Sequence, residues 1–165
     1  MIEVRNITKS FDGKVILDDV SAVFDAGKTN LIIGQSGSGK TVLMKSIVGL
    51  LRPDTGEILY DGRDFLKMNN KEVKMLRREI GMLFQGSALF DSETVLGNVM
   101  FPLVMFSDMT HEEMLERAHF CIERVNLKGA DSKYPSEISG GMQKRVAIAR
   151  AIALNPHYLF CDEPN

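Results

Sequence analysis

The segment that most constrains the fold is a glycine-rich loop between an apolar run, Leu31–Ile33, and a helical pattern that begins near Gly39. The loop reads Gly34-Gln35-Ser36-Gly37-Ser38-Gly39-Lys40-Thr41 and matches the pattern G-x-x-x-x-G-K-[ST]. A chance match in a chain of this length has odds on the order of one in a hundred. A strand, a glycine loop and a helix in this order predict an α/β fold.

The same loop predicts a site for the phosphates of a nucleotide. Its glycines allow backbone N–H groups to turn toward an anion, and the start of the next helix adds a favourable dipole. Lys40 would contact the β- and γ-phosphates, and the Thr41 hydroxyl would bind Mg²⁺, which prefers oxygen ligands. A flexible Gly-Ser surface loop is the alternative interpretation.

The composition is that of an ordinary globular protein. The chain has 165 residues, of which 44% are apolar and 25% charged, so it suits one domain and is neither disordered nor collagenous. Its net charge of −2 is too near neutral for binding nucleic acid through bulk charge. We therefore expect no nucleic-acid partner.

Cysteines and apolar segments bear on the compartment. Cys121 and Cys161 lie in apolar segments without metal-ligand spacing, which favours buried free thiols in a reducing compartment over a disulfide. Residues 1–11 lack the apolar core of a signal peptide. The most apolar stretch, Val95–Phe106, is shorter than the roughly 20 residues that cross a membrane. We expect a cytoplasmic protein.

Apolar patterning predicts alternating strands and helices before residue 86 and mainly helices after it. In the first part the predicted elements are an antiparallel strand pair around residues 2–5 and 15–24, a helix at 39–51, a hairpin at 57–66, a charged helix at 71–79 and a strand at 80–84. In the second part, Thr110 and Glu113 form a capping box, a last helix runs from Gly140 to Leu154, and a strand covers Tyr158–Cys161. We expect an α/β core with a helical insertion at about 86–154.

Two acidic residues, Asp162 and Glu163, follow the last predicted strand, at the edge where α/β sheets place ligands. Asp162 would hold Mg²⁺, and Glu163 would polarise a water molecule that attacks the γ-phosphate. A solvated turn is the alternative interpretation.

A second glycine-containing turn, Ser139-Gly140-Gly141, opens the last predicted helix. Backbone N–H groups at such a turn are accessible to an anion, so it could hold a second phosphate. A serine N-cap followed by flexible glycines is the alternative.

Together these motifs resemble the nucleotide-binding subunit of an ATP-binding cassette (ABC) transporter over the whole chain. The resemblance assigns residues 34–41 as Walker A, Gln85 as the Q-loop glutamine, Ser139–Met142 as the signature and Asp162-Glu163 as Walker B. It implies a P-loop NTPase core, RecA-like with a mostly parallel sheet, an N-terminal antiparallel β subdomain and a helical signature subdomain. Residues 1–165 would be one partial nucleotide-binding domain.

The resemblance also implies ATP and Mg²⁺ as cofactors and assigns roles to further residues. Phe11 would stack on adenine, although a core phenylalanine is the alternative. Ser139, Gly140 and Gly141 would contact the nucleotide held by Lys40 of a second copy in a head-to-tail homodimer. Gln85 would bind the Mg²⁺ and attacking water and link them to the helical insertion.

That insertion would dock a membrane permease, so the protein would be peripheral on the inner face of the cell membrane. The segment 95–106 fits a docking face and a plain buried helix equally well.

The signature departs from the usual L-S-G-G-Q, because it reads Ile138-Ser139-Gly140-Gly141-Met142 with Gln143 one place later. With residues 81–90, this departure resembles the Mla/MCE-type bacterial lipid-transport ATPases. Other ABC importers or exporters, for amino acids or lipoproteins, are the alternatives. A soluble ABC protein of DNA repair or translation and a small-molecule kinase fit less well.

Members of the family continue beyond Walker B into a further strand and a switch histidine. The chain ends at Asn165, so we expect a fragment that is weakly active or inactive by itself, derived from a longer working ATPase.

Overall fold

The computed structural model describes residues 1–162, and the chain forms two compact units, one of residues 1–73 and one that begins at Lys74. The first unit holds four strands and one helix: β1 (Ile2–Phe11), β2 (Lys14–Phe24), α1 (Lys40–Ile47), β3 (Thr55–Tyr60) and β4 (Arg63–Asp64). A 3-10 turn, Phe65–Lys67, follows β4. The strands pair antiparallel in the order β2-β1-β3-β4, which confirms the predicted N-terminal antiparallel sheet.

Two Asp-Gly pairs turn the chain between adjacent strands. Asp12-Gly13 has φ values of 49° and 78°, and Asp61-Gly62 has φ values of 47° and 78°. Two consecutive positive φ angles make the tight turn whose twist matches that of paired strands. The cross-strand partners Phe11 and Lys14 therefore close the β1–β2 hairpin.

The core of the first unit lies between the sheet and α1. Ile2, Val4 and Ile7 of β1 are almost completely buried. The buried Tyr60 hydroxyl donates a hydrogen bond of 2.9 Å to the carbonyl of Ile47, one of the carbonyls that the end of α1 leaves without a helical partner. This bond ties α1 to β3.

Helix α1 ends at Ile47, so the predicted helix to Leu51 is too long. Gly49 takes a left-handed φ of 78°, and the N–H groups of Leu50 and Leu51 both return to the carbonyl of Lys45. A left-handed glycine just past a helix is a common stop, because it satisfies the last carbonyls. The predicted hairpin is also too long, since β4 covers two residues before the 3-10 turn begins.

The predicted strand Leu31–Ile33 is not formed, which is a correction to the sequence analysis. Leu31 and Ile33 are each 81% exposed, and no strand within residues 1–162 pairs with this run. Apolar, β-branched residues favour a strand only where a neighbouring strand accepts their backbone hydrogen bonds.

The second unit combines a two-stranded parallel sheet with helices. Helix α2 (Asn70–Arg78) crosses the boundary between the units, and β5 (Ile80–Leu83), α3 (Val95–Phe106), α4 (His111–Arg124), α5 (Gly140–Ile152) and β6 (Tyr158–Cys161) follow. β5 and β6 pair in parallel from Ile80 with Tyr158 to Leu83 with Cys161. The predicted capping box of Thr110 and Glu113 is present at the start of α4.

Three helices share one apolar core in this unit. Its fully buried members include Val99 and Leu103 of α3, Cys121 and Ile122 of α4, and Val146 of α5. The prediction for Cys121 is confirmed, but Cys161 is exposed and its prediction is wrong. Cys161 and Leu159 are alternate residues of a strand that, within residues 1–162, pairs only with β5, and both are exposed.

Within residues 1–162, no helix combines the length and apolarity needed to cross a bilayer.

Candidate functional site

The glycine loop between residues 34 and 39 has a backbone that turns through left-handed conformations. Gly37 and Gly39 have φ values of 79° and 91°, and the Ser38 N–H donates a 3.2 Å hydrogen bond to the Gln35 carbonyl. Residues 34–38, including Ser36, are exposed, whereas Gly39 is buried. Alternating backbone conformations of this kind form a concave nest of N–H groups that suits an anion.

Gly39 is required both by its conformation and by its neighbours. A Cβ atom on this residue would lie 3.1 Å from the Ile16 carbonyl oxygen and 3.0 Å from Cδ2 of Leu17. Ile16 is an extra residue of β2, because Lys9 pairs with Leu17 while Ser10 pairs with Val15. This bulge of β2 lies directly against the end of the loop.

Lys40 is the first residue of α1, and its ammonium lies over the loop. Nζ donates hydrogen bonds of 2.8 Å to the Gly34 carbonyl and 2.9 Å to the Gln35 carbonyl. Gly39 offers no capping side chain, and the first turn of α1 contains no acidic residue. A helix start and an ammonium group therefore converge on one concave loop, an arrangement that suits a phosphate group.

Phe11 closes the same sheet at the β1–β2 turn. Its side chain is 42% exposed, which does not fit the alternative of a core phenylalanine. Lys9 Nζ lies 5.4 Å from the ring centroid. The first unit thus contains both the phosphate loop and the aromatic side chain predicted to contact a base.

In the second unit, Ser139 caps α5 as its alternative interpretation predicted. Its Oγ accepts a 3.3 Å hydrogen bond from the Met142 N–H. Gly140 and Gly141 are exposed, and a Cβ atom on either would meet nothing within 4 Å. Gln143 Nε2 donates to the Pro135 carbonyl at 2.8 Å, so this glutamine fixes the preceding turn.

Gln85 is exposed and follows the end of β5. The next three residues, Gly86, Ser87 and Ala88, have φ values of 76°, 67° and 45°. Such left-handed backbone at non-glycine residues costs free energy and persists only where the surrounding structure holds it.

Arg150 of α5 holds this left-handed segment, and the sequence analysis missed it. Its guanidinium donates 2.9 Å hydrogen bonds to the carbonyls of Ser87 and Ala88 and lies 5.8 Å from the ring centroid of Phe90. Burial lowers the pKa of Arg150 below its usual value. Arg150 is the single charged residue in the otherwise apolar stretch 146–151, and this pattern could have indicated a specific polar partner.

Asp162 lies at the same edge of the parallel sheet as the Gln85 turn. The Asp162 N–H donates a 2.9 Å hydrogen bond to the carbonyl of Leu83, two residues before Gln85. The second predicted acidic residue, Glu163, lies outside the described residues. The structure therefore brings the Asp162 backbone and the Gln85 turn together at the end of β5 and β6.

The predicted Mg²⁺ ligands all offer oxygen atoms: the Thr41 hydroxyl, the Gln85 amide and the Asp162 carboxylate. Among residues 1–162, no three His, Cys, Asp or Glu side chains cluster as they would around a metal held by protein alone. Mg²⁺ usually keeps several waters and takes one or two protein oxygens besides those of phosphate. Thr41 belongs to the first unit and Gln85 and Asp162 to the second, and the oxygen chemistry of each residue fits that mode of binding.

Comparison with known proteins gives the family. The ABC transporter family matches residues 17–165. The "Probable ribonucleotide transport ATP-binding protein mkl" of Mycobacterium leprae is 42% identical over 164 residues, 99% of this chain and 47% of the relative. The intermembrane phospholipid transport ATP-binding protein MlaF of Haemophilus influenzae is also 42% identical over 164 residues, 99% of this chain and 62% of the relative. The chain thus spans about half to three fifths of these relatives.

A solved structure gives the fold. The ATP-binding cassette MJ0796, a dimer in a post-hydrolysis state bound to ADP and Pi, superposes with a TM-score of 0.90 at 34% sequence identity. The match covers 100% of this chain and 75% of that one. With this P-loop NTPase fold and a family match over residues 17–165, the chain belongs to the ABC transporter family.

Proposed function

We propose that this chain is the nucleotide-binding part of an ATPase that drives an ABC transporter. The observation that carries the proposal is the Lys40 ammonium held over a left-handed glycine loop at the start of α1. MJ0796, similar in fold over this whole chain, is bound to ADP and Pi. In this proposal residues 1–165 form part of one nucleotide-binding domain, with about 86–154 as its helical subdomain.

The residues divide the work of ATP hydrolysis. The loop N–H groups and Lys40 bind the phosphates and offset charge that develops on the γ-phosphate. Thr41, Gln85 and Asp162 would hold Mg²⁺, which would neutralise charge on the phosphate oxygens. Glu163 polarises the attacking water, and Gln85 orients it.

The open glycines of α5 support a head-to-tail homodimer. Nothing within 4 Å of a Cβ on Gly140 or Gly141 requires glycine there, so a γ-phosphate from outside the chain can approach the backbone. In the proposed dimer, Ser139, Gly140 and Gly141 of one copy complete the site that Lys40 of the other begins. MJ0796 is itself dimeric.

Helix α3 supports docking to a membrane permease. Val99 and Leu103 are fully buried, whereas Phe101, Val104 and Met105 are 40%, 59% and 48% exposed. One set of α3 residues therefore packs in the core, and a second, apolar set lies at the surface, as in a helix that binds a partner. Through this contact the subunit would be peripheral on the cytoplasmic face of the membrane.

For the cargo we propose a bacterial lipid, a phospholipid in particular. Sequence identity does not distinguish the cargoes, since it is 42% both to relatives named for ribonucleotide transport and to one named for phospholipid transport. The support is instead the departure of Ile138–Met142 from L-S-G-G-Q. Another importer or exporter is the second candidate. Co-purification with membranes favours either transporter, whereas co-purification with ribosomes favours a soluble ABC protein.

The test of the proposed function is calorimetry of Mg-ATP binding by the 165-residue chain and by a version extended through the switch region of its relatives. Lys40→Ala abolishes Mg-ATP binding in both proteins. Lys45→Ala, five residues further along α1, leaves Mg-ATP binding unchanged. Turnover appears in the extended protein alone or predominantly. The absence of binding in the extended protein would contradict the assignment.

A further inference from the structure

Lys9, Ser10 and Asp54 form a compact polar group beside the β1–β2 turn. Lys9 Nζ lies 2.7 Å from one Asp54 carboxylate oxygen, and the other oxygen accepts a 2.7 Å hydrogen bond from the Ser10 N–H. The Asp54 N–H in turn donates to the Thr8 carbonyl at 2.8 Å. The Lys9 side chain is only 17% exposed, and its ammonium is paired with Asp54. Both the aliphatic part and the charged end of the side chain are therefore held in place.

The fixed ammonium lies against Phe11. Lys9 and Phe11 are two residues apart on β1 and so share one face of the strand, and Nζ is 5.4 Å from the ring centroid. This distance is within the range of a cation–π attraction. The ring is held from one side and still leaves 42% of the residue open to solvent.

The Phe11 ring and the phosphate loop adjoin the same hairpin. Phe11 pairs with Lys14, and Ile16, two residues further along β2, lies against Gly39 at the end of the loop. The aromatic ring and the loop that is proposed to hold the phosphates are therefore both positioned by β1 and β2.

We propose that Lys9 and Asp54 are positioning residues that hold the Phe11 ring as a one-sided platform for the base of the nucleotide. This inference rests on the proposed nucleotide site. It names the residues that make the affinity of that site depend on the base of the nucleotide. A ring already fixed loses less side-chain entropy when a base stacks on it. Lys9 and the Ser10 N–H hold the pKa of Asp54 below its usual value, so the carboxylate is charged at neutral pH.

The experiment compares two ligands, Mg-ATP and Mg-tripolyphosphate, by calorimetry on the version of the chain extended through the switch region of its relatives. Only ATP has a base, so the ratio of the two affinities isolates stacking. The variants are Lys9→Met, Asp54→Asn and Phe11→Ala. The control is Lys67→Met, because Lys67 lies 2.6 Å from Asp64 in the same unit and makes a similar ion pair.

Lys9→Met and Asp54→Asn change the charge in opposite directions, so bulk electrostatics shifts the affinity for both ligands up in one variant and down in the other. The proposal predicts instead that both variants lower the ratio of ATP to tripolyphosphate affinity, by about 2–5-fold. Phe11→Ala lowers this ratio by about 5-fold or more. Lys67→Met leaves it unchanged, and retained tripolyphosphate binding shows that each variant is folded.

An unchanged ratio in Lys9→Met and Asp54→Asn, alongside a lowered ratio in Phe11→Ala, would overturn the positioning role and leave the proposed function standing. An unchanged ratio in Phe11→Ala would overturn the platform itself. Failure of the unmodified extended protein to bind either ligand would instead remove the proposed function, and this inference with it.

Discussion

Two glycine-containing turns begin helices in this chain, and they differ in what surrounds them. At the start of α1, Gly39 is left-handed at φ 91°, and a side chain there would meet the Ile16 carbonyl at 3.1 Å. At the start of α5, Gly140 and Gly141 have open space around them and no positive φ. The fold itself requires glycine in the first turn and not in the second.

This difference separates glycines that shape a site from glycines that leave a site accessible. Alanine generally stabilises helices relative to glycine, so the packing of this chain gives no reason for Gly140 and Gly141. In the proposed function, their reason is the nucleotide bound to a second copy, which approaches α5 from outside.

The largest effect is expected at the opposite part of α5, where Arg150 holds residues 87 and 88. Arg150→Met removes two charge-assisted hydrogen bonds from the carbonyls of Ser87 and Ala88, and we expect a loss of about 2–3 kcal/mol in the free energy of unfolding. Arg150→Lys recovers part of it, because lysine lacks the guanidinium fork. Urea denaturation measures both.

The control is Arg145→Met on the same helix. Arg145 is exposed and donates to backbone carbonyls at 3.1 and 3.4 Å, so its loss costs less. Equal stability of wild type and Arg150→Met would show that these two hydrogen bonds do not hold residues 87 and 88 in place.

Gly39→Ala should destabilise the first unit by about 1–3 kcal/mol, because it places a Cβ in a left-handed conformation against Ile16. Gly37→Ala is the matched variant: its φ is 79°, but a Cβ there meets nothing within 4 Å. The difference between their urea midpoints measures the contact with β2 separately from backbone strain. If Gly37→Ala costs as much as Gly39→Ala, the bulge at Ile16 does not constrain the loop.

Gly141→Ala should leave the free energy of unfolding unchanged or raise it by at most about 1 kcal/mol. The reason is the open space around this residue and its place in the first turn of α5. The same denaturation series gives the value. A loss as large as that of Gly39→Ala would erase the distinction between the two turns.

The smallest effect concerns the ion pair of Lys9 and Asp54. The pKa of Asp54 lies below its unfolded value of 3.8, so the pair contributes stability above that pH and loses it as the pH falls through the folded-state pKa. Asp54→Asn should therefore melt slightly below wild type at about pH 6, and the difference should disappear in stronger acid. A difference that persists in acid would assign the effect to packing.

Local patterns in the sequence predicted the elements whose stability is local. The Thr110–Glu113 capping box lies where it was expected, and the predicted antiparallel strand pair is joined by the Asp12-Gly13 turn, because a few adjacent residues determine each feature. The loop at 34–41 also leads into a helix as its motif requires.

Features that depend on distant partners were not predictable in this way. The apolar run Leu31–Ile33 lacks a pairing strand among the described residues, and Cys161 is exposed on a strand that, within the same residues, pairs only with β5. Arg150 acts on carbonyls 62 and 63 residues earlier in the chain. No local pattern contains that information.

The most direct test of the role of the α5 turn is self-association of the protein extended through the switch region of its relatives, measured by sedimentation with and without Mg-ATP for wild type and Gly141→Ala. We predict that ATP promotes a dimer in wild type and that Gly141→Ala abolishes this dimer while its stability to urea is kept or increased. An ATP-dependent dimer that survives in Gly141→Ala would contradict it, because the open turn of α5 would then have no role in contacting the second copy.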